Sequence, residues 1–234
     1  MNERIEVNNI PSLVWGPHAD KVILAIHGYS SNKSDVPITL LFEEATTRGF
    51  QVLSYDLAKF GERKEESIVN YITDDLRELN LIYKYAQNRW KHISIFGNSY
   101  GAYLALIFFS KECIEKCLFL SPVVDFNYVI EGMMKIYQVT VDQLFKEKEI
   151  VCSPSMKLLW DNYKFTTDNP IVQWNIKTFI LHGSLDTVNP TNVVSSFSSR
   201  FHCILNESSC SPHYFYAQKD IDILRTWIDS SLDA

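Results

Sequence analysis

Nothing in this 234-residue sequence approaches the run of roughly 18 apolar residues that a membrane-spanning helix needs. It has no long basic run either, and its formal net charge is -6, which argues against a nucleic-acid partner. The N-terminus, MNERIEVNNIPSLVW, lacks the basic start and apolar core of a secretory signal. Five cysteines (113, 117, 152, 203 and 210) are an odd number, with neither a pairing framework nor zinc spacing. Reduced thiols in a cytoplasmic protein are the simplest expectation. No G-x-G-x-x-G opens the first strand–helix unit, which excludes a dinucleotide-binding oxidoreductase. No metal-ligand spacing is present, so no metal or other cofactor is expected, and the oligomeric state stays open. Internal repeats and low-complexity stretches are also missing.

What remains is a globular composition, 46% hydrophobic and 21% charged. Short apolar runs at 22–28, 51–56, 92–98, 116–123, 178–184 and 201–207 are rich in β-branched and aromatic residues and do not alternate. That is the pattern of strands buried on both faces of a parallel sheet. Helical periodicity falls between them, near 37–48, 69–89, 100–112, 190–200 and 218–231. In the last, Ile221, Leu224, Trp227 and Ile228 recur at helical spacing. The alternation predicts an α/β fold with a mostly parallel central sheet flanked by helices. The first 16 residues add an antiparallel hairpin with NNIP as its turn. From 124 to 170 there are helical patterns and no core strand, which is too long for a connection and reads as an insertion. The core is then 1–123 and 171–234.

The stretch HISIFGNSYGAYLALIFF (92–109) poses a chemical question. Glycine costs a helix about 1 kcal/mol relative to alanine, yet Gly97 and Gly101 flank Ser99 between two apolar runs. A serine at the tip of a sharp strand-to-helix turn explains both glycines. Side chains at the flanking positions would block the close approach of backbones, and the turn pushes the hydroxyl out above the sheet.

GNSYG matches the G-x-S-x-G elbow, and at this point the chain resembles the α/β-hydrolase superfamily over nearly its whole length. The resemblance implies the family's fold, a small helical cap at 124–170, and the chain order nucleophile, acid, histidine. Ser99 is then the nucleophile. Asp186, in TFILHGSLDTVNP, looks like the family's acid, and it is not needed as a helix cap because Asn189 and Pro190 supply one. Asp125 is the alternative acid used in some relatives. His213 follows the last strand, with Pro212 keeping the preceding segment out of helix. His202 is placed at the wrong end of that strand. The serine needs a neutral imidazole to take its proton, and the carboxylate fixes the imidazole's tautomer.

The oxyanion of a tetrahedral intermediate needs backbone donors, each worth about 3 kcal/mol. Tyr100 N–H, after the nucleophile, is one. AIHGYSSNK resembles the family's oxyanion loop and offers Tyr29 N–H as the other, with His27 and Gly28 shaping the loop. His182, in the similar LHG, reads as structural. Asn98 stands where many relatives carry histidine, a departure that bears on subfamily and not on mechanism. Within the cap, Met133, Met134, Tyr137 and Trp160 are candidates for an apolar acyl or aryl pocket, beside the simpler reading that they fill the cap's own core. The expected function is a serine carboxylesterase acting on a small-molecule ester. The alternatives are a compact peptidase, a thioesterase or acyltransferase on the same fold, and a catalytically silent ligand receptor.

Overall fold

Asn8 and Asn9 both have positive φ, 52° and 65°, the requirement of a two-residue hairpin turn of the primed type. They join β1 (Asn2–Val7) to β2 (Ile10–Trp15), with Val7 paired to Ile10. The turn is thus Asn8-Asn9 alone, and Ile10 and Pro11 belong to the strand. The computed structural model describes residues 2–67, 69–153 and 156–234.

The remaining strands of the main sheet are β3 (Lys21–Ile26), β4 (Phe50–Tyr55), β5 (His92–Asn98), β6 (Cys117–Leu120), β9 (Thr178–Gly183) and β10 (Ile204–Ser208). Their order is β1-β2-β4-β3-β5-β6-β9-β10. Every pair from β4 to β10 is parallel, and the hairpin β1–β2 extends the β4 edge antiparallel. Helices α1 (Val36–Thr46), α2 (Ile72–Arg89), α3 (Tyr100–Phe108), α7 (Thr191–Phe201) and α8 (Gln218–Asp233) connect and cover them.

Successive residues of β3 show why the strands read as continuous apolar runs. Ile23 and Ala25 face a layer with Ile38 and Leu41 of α1 and Leu224 and Trp227 of α8. Leu24 and Ile26 face the opposite layer, with Leu79 and Ile82 of α2 and Val194 and Phe197 of α7. Both faces are covered, so both sets of alternating side chains are apolar. Each large aliphatic side chain among them contributes roughly 1.5–3 kcal/mol on burial.

Two strand boundaries differ from expectation, for backbone reasons. β6 stops at Leu120 because Ser121 turns to φ 42° ahead of Pro122. β10 begins only at Ile204, because His202 takes a left-handed conformation that closes α7. His202 is therefore a helix cap and not a strand residue. A short 3-10 turn, Phe109–Lys111, carries the chain out of α3.

The segment 124–170 holds the expected helices, α4 (Phe126–Ile136), α5 (Val141–Glu147) and α6 (Trp160–Asp168). It also holds a hairpin that the sequence did not announce, β7 (Glu149–Ser153) with β8 (Met156–Leu159). These strands pair only with each other, and residues 154 and 155 between them lie outside the described residues. Ile130, Met134, Leu144 and Leu158 form a small core of their own here. No helix among the described residues is long and apolar enough to cross a membrane.

Candidate active site

β5 runs into α3 through a single residue, Ser99, held at φ 52° and ψ -112°. This is strained backbone for a residue with a side chain, and its surroundings fix it in place. Ser99 N–H donates to Leu120 O, and Ser99 O accepts from Ala102 N and Val123 N. A Cβ on Gly97 would stand 2.6 Å from the Ala102 Cα, and one on Gly101 would stand 2.2 Å from Ile26 O. Both glycines are needed because strand, turn and helix backbones touch.

Asp186 lies in the loop after β9, and His213 in the loop after β10. Asp186 Oδ1 accepts from Val188 N at 2.8 Å and Asn189 N at 2.9 Å. Its Oδ2 accepts from His213 Nδ1 at 2.6 Å. That bond places the imidazole proton on Nδ1 and leaves Nε2 to accept from the Ser99 hydroxyl at 2.9 Å. The two loops are zipped together by Ser184 N to Ser208 O and Leu185 N to Ser211 O. Ser211 in turn donates to the buried Asp220 at 2.6 Å. The sheet thus brings Ser99, His213 and Asp186 into one hydrogen-bonded row at the C-terminal ends of β5, β9 and β10.

The local reading of the acid loop needs correction. Pro190 occupies the cap position of α7, and Asn189 does not cap it. Instead, Asn189 Nδ2 donates to Pro122 O, tying the acid loop to the end of β6. Asp125 is the N-cap of α4, accepting from Tyr128 N at 3.0 Å, and it takes no part in the relay.

The loop after β3 meets the serine from the other side. A Cβ on Gly28 would lie 3.3 Å from both Ser99 Cβ and Asn98 O, so the loop backbone abuts Ser99. His27 is buried beneath it. Its Nδ1 donates to Gly28 O at 2.7 Å and its Nε2 accepts from Leu57 N at 3.0 Å. Burial pulls its pKa down to about 4, so it stands as a neutral spacer with both nitrogens occupied. Tyr29 follows, 39% exposed, its ring edge-on to Phe60 at 4.8 Å and to Tyr100 at 6.1 Å. Tyr100 opens α3, where a helix N–H has no partner within the helix.

Two supports went unseen in the sequence. Lys33 is buried and donates through its backbone N–H to Asp56 Oδ1 at 2.9 Å and through Nζ to Asp56 Oδ2 and Glu62. Ser54 donates to Lys33 O at 2.7 Å, so the far end of the loop is fixed to β4. Below Tyr100, its hydroxyl donates to Asp75 Oδ2 at 2.7 Å. Burial raises the Asp75 carboxyl to about 7. No motif marks either group, since both are isolated polar residues whose partners come from distant segments.

The four residues of segment 124–170 offered for a substrate pocket mostly serve that segment's own core. Met134 lies in its small core, and Trp160 packs against that core beside Phe145 and Tyr163. Tyr137 is exposed at the end of α4. Of the four, Met133 alone touches both that small core and the main core. A cavity of ≈ 550 Å³ lies instead between α3, α4, α6 and α7, lined by Tyr103, Phe126, Thr166, Ile171 and Arg200 among others. None of the four reaches it. Aromatic contact does lead from the site toward α4, through Tyr100 to Phe126 at 5.2 Å. Among the described residues no group of histidine, cysteine, aspartate and glutamate is placed to hold a metal ion.

No protein-family model matches the chain, and no curated protein does. Solved structures do resemble it. Est1E from Butyrivibrio proteoclasticus with ferulic acid bound is 16% identical, with a TM-score of 0.79 covering 98% of this chain and 97% of that one. Alpha/beta hydrolase domain-containing protein 10 from mouse is 15% identical, with a TM-score of 0.77 covering 100% and 98%. The Pyrococcus furiosus esterase Pf2001 is 18% identical, with a TM-score of 0.66 covering 98% and 92%. At such identities the likeness speaks for the architecture.

Proposed function

We propose, starting from the α/β-hydrolase fold that this chain has, that it is a serine hydrolase cleaving carboxylic esters through an acyl-enzyme. One observation carries the reading: Ser99 Oγ meets His213 Nε2 at 2.9 Å while His213 Nδ1 meets Asp186 Oδ2 at 2.6 Å. A serine hydroxyl is a weak nucleophile until a base accepts its proton, and this relay supplies the base and fixes its tautomer.

In the proposed reaction Ser99 Oγ attacks the ester carbonyl as its proton passes to His213 Nε2. The carbonyl oxygen takes the negative charge and is met by the N–H groups of Tyr100 and Tyr29. His213 then returns the proton to the departing alcohol. Water repeats the sequence on the acyl-enzyme, with His213 again as base. Asp186 holds the imidazole through Nδ1 and stabilises the imidazolium.

The rings of Phe60, Tyr29, Tyr100 and Phe126 contact one another in a row that passes through the residue after Ser99, which favours an apolar or aromatic acyl group. A structure of similar fold binds ferulic acid, an aromatic acid, which points the same way. Segment 124–170 is proposed as the cap over this face. A cytoplasmic location is proposed from the cysteine pattern alone.

Fluorophosphonate labelling tests the reading. The expected result is one adduct on the wild-type chain by intact mass, absent from Ser99→Ala, with turnover of p-nitrophenyl esters lost in the same variant. A folded wild-type chain that takes no adduct and turns over no ester would remove the proposal.

A further inference from the structure

β9 ends close to His182, whose imidazole is sealed from solvent, and neither ring nitrogen has a hydrogen-bond partner. Each orphaned buried polar atom costs about 1–3 kcal/mol, a cost that an apolar side chain of the same shape would not incur. The groups that act on this ring are few. Asp186 comes from the loop after β9, His213 from the loop after β10, and Glu207 from β10 itself, in register opposite His182.

The geometry singles out one of them. His182 Nδ1 stands 3.7 Å from Asp186 Oδ2, the same oxygen that accepts from His213 Nδ1. That distance is too long for a hydrogen bond and short enough for an N–H dipole to act on a carboxylate in a dry interior. Burial also holds the imidazole below the ordinary histidine range, so it is neutral and can present an N–H at Nδ1. The other carboxylate oxygen already has two backbone donors. Oδ2 is therefore where the two histidines compete.

We propose that His182 is a positioning residue acting through Asp186: its Nδ1–H shares Oδ2 with His213 and moderates the carboxylate's hold on the His213 proton. The inference rests on the serine-hydrolase reading above. With His182 in place, part of the Asp186 charge is directed away from His213, which releases its proton to the leaving group more readily. Without it, the full charge stabilises the imidazolium, and the base becomes available only at higher pH.

The test is the pH dependence of kcat/KM for a p-nitrophenyl ester in the wild-type chain, His182→Phe and His182→Asn. Phenylalanine fills the ring's volume with no polar atom, and asparagine keeps an N–H donor near the place of Nδ1. The acid limb of His182→Phe is expected to move up by about half a pH unit or more, with His182→Asn close to the wild type. A histidine that merely fills space would alter Tm and leave the limb in place. Superimposable wild-type and His182→Phe profiles would overturn the inference while leaving the hydrolase reading intact. Should His182→Phe not fold, His182→Leu is read in the same way. A wild-type chain with neither turnover nor fluorophosphonate adduct overturns the hydrolase reading, and this inference with it.

Discussion

The Tyr100 hydroxyl donates to Asp75 Oδ2 at 2.7 Å, which places a fully buried carboxyl directly beneath the residue that follows Ser99. Burial is the first cause of its raised pKa of about 7, with the Tyr100 bond pulling the other way and Glu78 adding to the rise. An aspartate in the unfolded chain titrates near 3.9. Between roughly pH 4 and 7 the folded state therefore binds the proton more than the unfolded state does, and this group makes stability fall as pH rises. His27, lowered to about 4, contributes the opposite slope between roughly pH 4 and 6.5. The comparison must accordingly be made between variants. Asp75→Asn is expected to gain on the wild type from pH 5 to about pH 7 in chemical denaturation and to level off above it. A constant difference across that range would mean that Asp75 does not titrate there.

The relay makes a steep prediction for Asp186. Replacement by asparagine keeps the shape of the site, yet it offers His213 the wrong tautomer and no charge. Ester turnover is expected to drop by about 10⁴-fold with the fold retained by circular dichroism. Asp125→Asn, by contrast, should stay within about twofold of wild-type activity, because asparagine still caps a helix. Equal losses in the two variants would reassign the acid.

Gly101 is expected to tolerate no side chain. A Cβ there would meet Ile26 O at 2.2 Å, and backbone on both sides must move. Gly101→Ala should lower stability by about 1–3 kcal/mol. Displacing Ser99 by even 1 Å should also cost about 10²-fold in turnover. Urea titration and ester kinetics on the same preparation separate the two effects.

Lys33 ties the loop that carries Tyr29 to Asp56. Lys33→Met leaves the Asp56 carboxylate buried without its cation, and such breaks cost about 3–5 kcal/mol. If the loop positions an oxyanion donor, the surviving folded protein loses kcat more than it gains in KM. A variant that lowers Tm with kcat untouched would leave Lys33 as a purely structural anchor.

The elbow was legible because its constraint is local. Gly97, Ser99 and Gly101 lie within one turn of chain, and the strand before and helix after are both visible as apolar runs. The parallel sheet was legible for a similar reason, since strands covered on both faces show it in Ile23 to Ile26 without any knowledge of their neighbours. The hairpin of β7 and β8 was not, because its strands are half-exposed and paired only with each other. Asn189 was misread for want of one fact, that Pro122 lies next to it in space.

By itself, then, the sequence determined the alternation of strands and helices, the sharp turn at Ser99, and the residue types able to serve as acid and base. These depend on periodicity and on side-chain chemistry, which the chain carries locally. Only the tertiary structure decided that Asp186 and not Asp125 meets His213, that His182 faces the same oxygen, and that Met134 and Trp160 join the small core of segment 124–170. Those outcomes are set by which strand ends and helices the fold brings together, and residues far apart in sequence acquire them only when the sheet closes its order.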